Sequence, residues 1–153
     1  MTSLVAIHGF VWAHAPELTD LWVEAWRRAM PGIDFDARRP WFVERLRQLE
    51  SQGVAIRCAF DAATGAMSGF VTVDPQTGDL DQIAVAPAAQ GTGAAAALIA
   101  EARRLSPGRL RLDVNAGNPR ALAFYRREGF RKVGDGVNPR SGLPVLAMEW
   151  TAD

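Results

Sequence analysis

Val85-Ala86-Pro87-Ala88-Ala89-Gln90-Gly91-Thr92-Gly93-Ala94-Ala95 is the stretch from which the rest of the chain is read. Before it, Leu80 to Val85 has the apolar character of a strand. After it, Ala94 to Leu105 is dominated by strong helix formers. Strand, glycine-bearing turn and helix together form a natural phosphate holder. The first N–H groups of a helix lack internal partners, and the helix dipole adds partial positive charge there. Glycine lets an anion approach the backbone where a side chain would stand in the way. The alternative is that Gly91 and Gly93 only shape a turn while the alanines pack the helix tightly against a sheet.

Working outward, Leu4 to Trp12 reads as a first strand. Pro16 opens a helical pattern in which Leu18, Leu21, Trp22, Ala25, Trp26 and Ala29 recur at three and four, and Pro31-Gly32 ends it. A second helix starts between Asp36 and Pro40, carries Phe42, Leu46 and Leu49, and stops before Gly53. Val54 to Phe60 and Met67 to Val73 form a hairpin around Thr64-Gly65. Beyond the alanine-rich helix, Pro107-Gly108 is a break and Leu110, Leu112 and Val114 alternate as a strand. Asn118-Pro119 opens a helix through Arg127 that Gly129 terminates. Phe130 to Val133 and Val145 to Trp150 are the last strands, separated by a polar loop from Asp135 to Gly142. The order βααβββαβαββ places the chain in the α+β, or mixed α/β, class around one sheet.

Composition excludes other readings. The 153 residues suit one domain, 1–153, and 48% hydrophobic with 22% charged residues is ordinary for a globular protein. Seventeen Lys+Arg balance seventeen Asp+Glu, so the strong positive field of a nucleic-acid binder is missing. Cys58 is the single cysteine and His8 and His14 are the only histidines, which argues against a disulfide and against a metal site. Met1 to Ser3 has no basic residue and His8 interrupts the apolar run, so a secretory leader fits poorly. With no run of membrane-spanning length either, a soluble, cytoplasmic protein is expected.

Three phosphate-binding patterns compete for the glycine turn. A P-loop needs Gly-Lys-Ser/Thr at the helix start, where Ala94-Ala95 stands. Gly91-x-Gly93-x-x-Ala96 followed by Asp113 fits a relaxed dinucleotide fingerprint, but too little chain follows to complete a nucleotide fold. The third pattern accounts for more. Gln90-x-x-Gly93-x-Ala95 resembles the acetyl-CoA pyrophosphate loop of the GNAT acetyltransferase superfamily. Asn115-x-x-Asn118-x-x-Ala121-x-x-Phe124-Tyr125-x-x-x-Gly129-Phe130 is similar to its second signature. By motif the resemblance covers residues 80–134, and residues 1–52 match only in architecture, as an acceptor-side strand and helices.

The resemblance implies a mostly antiparallel central sheet with a splayed parallel strand pair after Leu80–Val85. It also implies acetyl-CoA as co-substrate, held by Gln90, Gly91, Thr92, Gly93, Ala94 and Ala95 at the pyrophosphate. The freed backbone of Ile83, Ala84 and Val85 would lie along the pantetheine arm, with the Val85 N–H facing the thioester oxygen. Tyr125, the only tyrosine, would protonate the departing sulfur; a phenol near 10 beside a thiol near 8.5 stays protonated at neutral pH. The other reading of Tyr125 is a packing residue at a wet edge. Asn118 is a cofactor contact, a helix cap, or both. Asn115 is equally a structural residue or a contact for the cofactor arm.

Strand alternation puts Asp81 on the face of Ile83 and Val85, where it would serve as the base, directly or through water, or simply be a solvated strand-end carboxylate. Alternation puts Gln82 on the opposite face; Asp113 is a weaker candidate base. The acceptor, a small-molecule or peptide amine, would lie between the N-terminal helices and the loop from Asn138 to Pro144. Trp22, Trp26, Phe35, Trp41 and Phe42 are expected mainly in the core, one or two of them lining the pocket. Arg38-Arg39 reads as a solvated face, with carboxylate capture as the second reading. The expected function is N-acetyl transfer from acetyl-CoA to a primary amine. The alternative is a catalytically silent acyl-CoA-binding or regulatory module on the same fold, and a nucleotide-dependent oxidoreductase is the third. Neither nucleic acid nor membrane is an expected partner, and a homodimer is a superfamily-level expectation.

Overall fold

The computed structural model describes residues 5–152. Leu4, where the first strand was expected to begin, lies outside the described residues. Two antiparallel sheets carry the chain. The first contains β1 (Val5–Gly9), β2 (Ala55–Asp61), β3 (Met67–Val73) and β4 (Leu80–Val85), in the order β1-β2-β3-β4. The second contains β5 (Arg109–Asn115), β6 (Arg131–Val137) and β7 (Pro144–Thr151), in the order β5-β7-β6. They meet through a parallel bridge between Asp79 and Arg111, where the Arg111 N–H donates to the Gly78 carbonyl at 2.9 Å. A Cβ on Gly78 would lie 2.2 Å from the Arg109 carbonyl oxygen, so only glycine permits this close approach. Beyond the bridge β4 and β5 share no ladder, which is the splay the resemblance implies.

Helices cover the sheets because their apolar stripes match the sheet faces. α1 (Ala15–Ala29) and α2 (Arg39–Ser51) enclose a core of Leu18, Trp22, Phe42, Leu46, Cys58 and Phe70 with Ala84. α3 (Ala94–Leu105) and α4 (Pro119–Arg127) join Val71, Leu98, Ile99, Leu110, Tyr125 and Met148 in a second core.

Two boundaries differ from expectation. β1 ends at Gly9, and Trp12–His14 is a 3-10 turn instead of strand. The apolar Phe10 and Trp12 pack onto the first core instead, and the Trp12 indole donates to Glu50 at 2.9 Å. β6 continues through Asp135 to Val137, so the polar loop is shorter than the sequence suggests. Its outer edge faces solvent, so exposed Arg131, Lys132 and Asp135 cost nothing there, while its backbone pairs with β7.

Candidate active site

The gap left by the splay is the centre of the site. The Ala86 N–H donates to Ser68 on β3 at 2.9 Å, and backbone polar groups alternate along a strand. Ile83 and Val85 therefore turn theirs away from β3, into the gap. Ala84, in register with Phe70, turns its own toward β3 and its methyl into the first core. Of the three β4 residues expected along a cofactor arm, Ile83 and Val85 present backbone groups, whereas Ala84 lines the cleft without offering any.

The glycine turn closes one end of the gap. Gly91 and Gly93 have φ of +81° and +88°, and no atom stands within 4 Å of where either Cβ would be. Thr92 hydroxyl donates to the Ala89 carbonyl and fastens the turn. Gly93 is the N-cap of α3, so the N–H groups of the first turn, at Ala94 and Ala95, have no helical partner. Gln90, Gly91, Gly93, Ala94 and Ala95 all line a cleft of about 710 Å³. Arg28 of α1 and Arg120 and Arg127 of α4 line it too, and none has a carboxylate partner among the described residues. Beside the backbone amides of the glycine turn, the cleft thus offers guanidinium charge to an anion. The signal lay in Arg120, Phe124 and Arg127, spaced to share one helix face.

Tyr125 lines the same cleft. Its ring makes edge contacts with Phe124 at 5.3 Å and Phe130 at 5.6 Å, and the residue is 8% exposed. Burial pushes its phenol well above the ordinary value, and its hydroxyl has no hydrogen-bond partner among the described residues. It is a neutral donor available to a group in the cleft. Asn118 caps α4 by accepting from the Ala121 N–H at 3.2 Å, and it also lines the cleft. The Asn115 amide donates to the Met30 sulfur at 3.3 Å, tying β5 to the end of α1.

Alternation fails on β4. Val71 pairs with Ile83 and Val73 with Leu80, so β4 carries an extra residue between them, a bulge. Leu80 consequently joins the second core, and both Asp81 and Gln82 turn to the N-terminal helices. Asp81 does not share a face with Ile83 and Val85, and Gln82 is not opposite it. Asp81 accepts two hydrogen bonds from Arg45 of α2, at 3.0 and 2.6 Å, and a third from the Gln82 amide at 3.3 Å. This pairing raises the Arg45 pKa above its ordinary value, the Asp81 hydrogen bond being the main cause. Gln82 in turn accepts from the Trp22 indole at 3.2 Å. Asp113 is exposed on β5 at the opposite lip of the gap.

Through the gap lies a second chamber of about 730 Å³, which shares Trp26, Asp81, Gln82, Asp113 and Asn115 with the first. Trp22, Trp26, Phe35 and Trp41 all border it, more aromatic rings than expected; Phe42 is wholly core. Trp22 stacks on Phe42 at 4.5 Å and Trp26 on Phe35 at 5.7 Å. Asn138, Pro139, Arg140 and Ser141 form the far wall. Cys58 is away from both chambers, and burial, with a contribution from Glu17, pushes its thiol up to about 12. His8 and His14 lie against Phe60, at 5.8 and 5.3 Å between rings, as structural residues.

The acetyltransferase (GNAT) domain profile matches residues 44–152. The chain belongs to the GNAT acetyltransferase family. No match was found among curated proteins. Solved GNAT folds superpose on nearly the whole chain. A GCN5-related N-acetyltransferase from Rhodopseudomonas palustris is 16% identical over 99% of this chain and 98% of its own, with a TM-score of 0.80. YjaB from Escherichia coli, in its apo form, is 20% identical over 100% of both chains, with a TM-score of 0.77. The PaiA N-acetyltransferase from Thermoplasma acidophilum, solved with coenzyme A, is 16% identical over 99% of both, with a TM-score of 0.76. In this GNAT enzyme the profile begins inside α2. The helix α1 and the 3-10 turn Asp36–Arg38, which supply much of the second chamber, precede it.

No helix among the described residues is long and apolar enough to cross a membrane, and no group of three or more potential metal-ligating side chains occurs among them.

Proposed function

We propose that the protein is an N-acetyltransferase that moves the acetyl group of acetyl-CoA to a primary amine by direct attack in a ternary complex. The observation that carries this reading is the pair of chambers meeting at the β4/β5 gap, one ending in the glycine turn and the other in aromatic rings. The residues fit the co-substrate. The open glycine turn, the free N–H groups at Ala94 and Ala95 and the side chains of Arg28, Arg120 and Arg127, which have no carboxylate partner among the described residues, suit its phosphates. When bound, acetyl-CoA supplies the activated acyl group as a thioester.

The chain's own groups divide the remaining work. Gln90 through Ala95 bind and orient the pyrophosphate. The gap-facing backbone of Ile83 and Val85 aligns the arm, and the Val85 N–H stabilises negative charge on the acyl oxygen. Asp81 receives the ammonium proton, directly or through water, with Arg45 and Gln82 fixing its carboxylate. Tyr125 donates its phenolic proton to the sulfur, which leaves as free thiol. A buried Cys58 with a raised pKa supports direct transfer over an acyl-cysteine route.

Free-thiol release from acetyl-CoA across a panel of primary amines tests the reading. Turnover with acetylated amine as product supports it. Tight coenzyme A binding with no turnover on any amine would instead support a silent acyl-CoA-binding module.

A further inference from the structure

The second chamber carries a charge pattern that a plain amine does not need. Its carboxylates are Asp81 and Asp113, while its guanidiniums are Arg38, Arg45 and Arg140. Arg45 is committed to Asp81. Arg38 and Arg140 have no carboxylate or hydrogen-bond partner for their side chains among the described residues. Each instead lies over an aromatic ring: Arg38 over Phe35 at 5.3 Å, and Arg140 over Trp41 at 3.9 Å. The neighbouring Arg39 is quite different, consumed by Asp20 at 2.6 Å and Asp36 at 2.5 Å. A guanidinium lying over a ring face is held there by cation–π attraction while its N–H donors stay uncommitted, which suits it to taking a carboxylate.

The chamber is therefore polarised. At its inner end, Asp81 and Asp113 flank the gap, and Asp113, which has no cationic partner among the described residues, adds a carboxylate that suits an ammonium. Its walls are Trp22, Trp26, Phe35 and Trp41. Its remaining charge is two unpaired cations on aromatic platforms, carried by different walls: one at the start of α2, the other on the loop before β7. A wholly neutral amine would leave both guanidiniums without an anion, and a cationic polyamine would be repelled by them. We infer that the acceptor is an amino acid in the broad sense: a primary amine on an apolar body that also bears a carboxylate, bound by Arg38 and Arg140. The inference rests on the acetyltransferase reading and specifies its substrate class. For Arg38 it takes up carboxylate capture, the second of the two readings the sequence left for Arg38-Arg39.

Matched pairs that differ only in the carboxylate test this: phenethylamine against 4-(2-aminoethyl)benzoate, and hexylamine against 6-aminohexanoate. Thiol release from acetyl-CoA should favour the carboxylate member of at least one pair by about tenfold or more in kcat/KM, the scale of one charge-assisted contact. In the Arg38→Gln/Arg140→Gln double variant, kcat/KM for that member should fall at least about tenfold further than for its neutral partner, chiefly through KM, because the contact is remote from the reacting nitrogen. Preference for the neutral members, or equal losses for both, would overturn the inference while leaving acetyl transfer intact.

Binding is read independently of turnover. Trp22, Trp26 and Trp41 border the chamber, so saturable quenching of tryptophan fluorescence should report the carboxylate-bearing amine with coenzyme A present. The double variant, checked for an unchanged melting temperature, should need at least about tenfold more ligand. Absence of quenching with every carboxylate-bearing amine overturns the inference even if no amine is turned over. Failure of acetyl-CoA itself to bind or react counts against the acetyltransferase reading instead.

Discussion

Tyr125 and Asp81 are a single side chain each on α4 and β4, yet their surroundings give them opposite characters. Tyr125 is enclosed by aromatic rings, and burial alone raises its phenol, so it stays protonated through neutral and alkaline pH. Tyr125→Phe keeps the ring packing and removes only the proton donor. We expect kcat to fall by about 10–10³-fold with coenzyme A affinity nearly unchanged, measured by steady-state kinetics and titration; undiminished kcat would remove Tyr125 from the mechanism. Asp81 is held by Arg45 and Gln82, and a fixed carboxylate beside the gap is what proton transfer needs. Asp81→Asn should lower kcat by about 10²–10⁴-fold without loss of coenzyme A binding. If it does not, Asp113 across the gap is the next residue to substitute. Both residues were legible in the sequence by type. The orientation of Asp81 was not, because a one-residue bulge cannot be seen in a pattern of alternation.

At the scale of elements, α3 joins the glycine turn to the sheet. Its N-terminus offers free N–H groups, and its far side is tied to β2 by Glu101, which accepts from Arg57 at 3.1 Å and Arg104 at 2.7 Å. Gly93→Asp puts both a carboxylate and a residue unsuited to φ +88° where phosphate would sit. Coenzyme A binding by calorimetry should be abolished, and normal binding would displace the pyrophosphate from this turn. Hydrogen bonds from Arg104, its attraction and those from Arg57 hold Glu101 below its ordinary value of 4.5 against the opposing effect of burial. Because the folded pKa is depressed, this stabilisation is fully present above about pH 4.5 and is lost as pH falls through the lower folded value. Glu101→Gln should therefore reduce melting temperature at neutral pH while flattening its decline in acid, as read by thermal melts from pH 3 to 7. An identical acid limb in both proteins would show that Glu101 contributes no pH dependence. Helix and strand types along the chain follow from apolar spacing. The boundaries of β1 and β6 do not, since Trp12 found a helix to pack on and β6 drew its pairing from β7.

For the whole molecule, the decisive feature is that two sheets touch at one bridge and then part. Coenzyme A would span both, bridging β4 and α3 to α4 across the gap, and so bind the folded state selectively. At about 100 times Kd it should add about 2.7 kcal/mol of stability. For a chain of this size that is a rise in Tm of about 5–10 °C, readable by calorimetry. NADPH at the same concentration should give no such shift, separating this enzyme from a nucleotide-dependent oxidoreductase that a relaxed fingerprint at Gly91 and Gly93 would otherwise suggest.

Local sequence determined the elements, the glycine turn and the second motif through Asn118, Tyr125 and Gly129, because helix spacing, capping and positive-φ glycines act within a few residues. Those carried the resemblance that the domain profile over residues 44–152 bears out. Only the tertiary structure decided what the gap faces: Gly78 pinning β4 to β5, the bulge that swings Asp81 onto Arg45, and the meeting of Trp26, Trp41, Arg38 and Arg140 around one chamber. These contacts join residues far apart in the chain, and their geometry depends on packing between elements that no local pattern encodes.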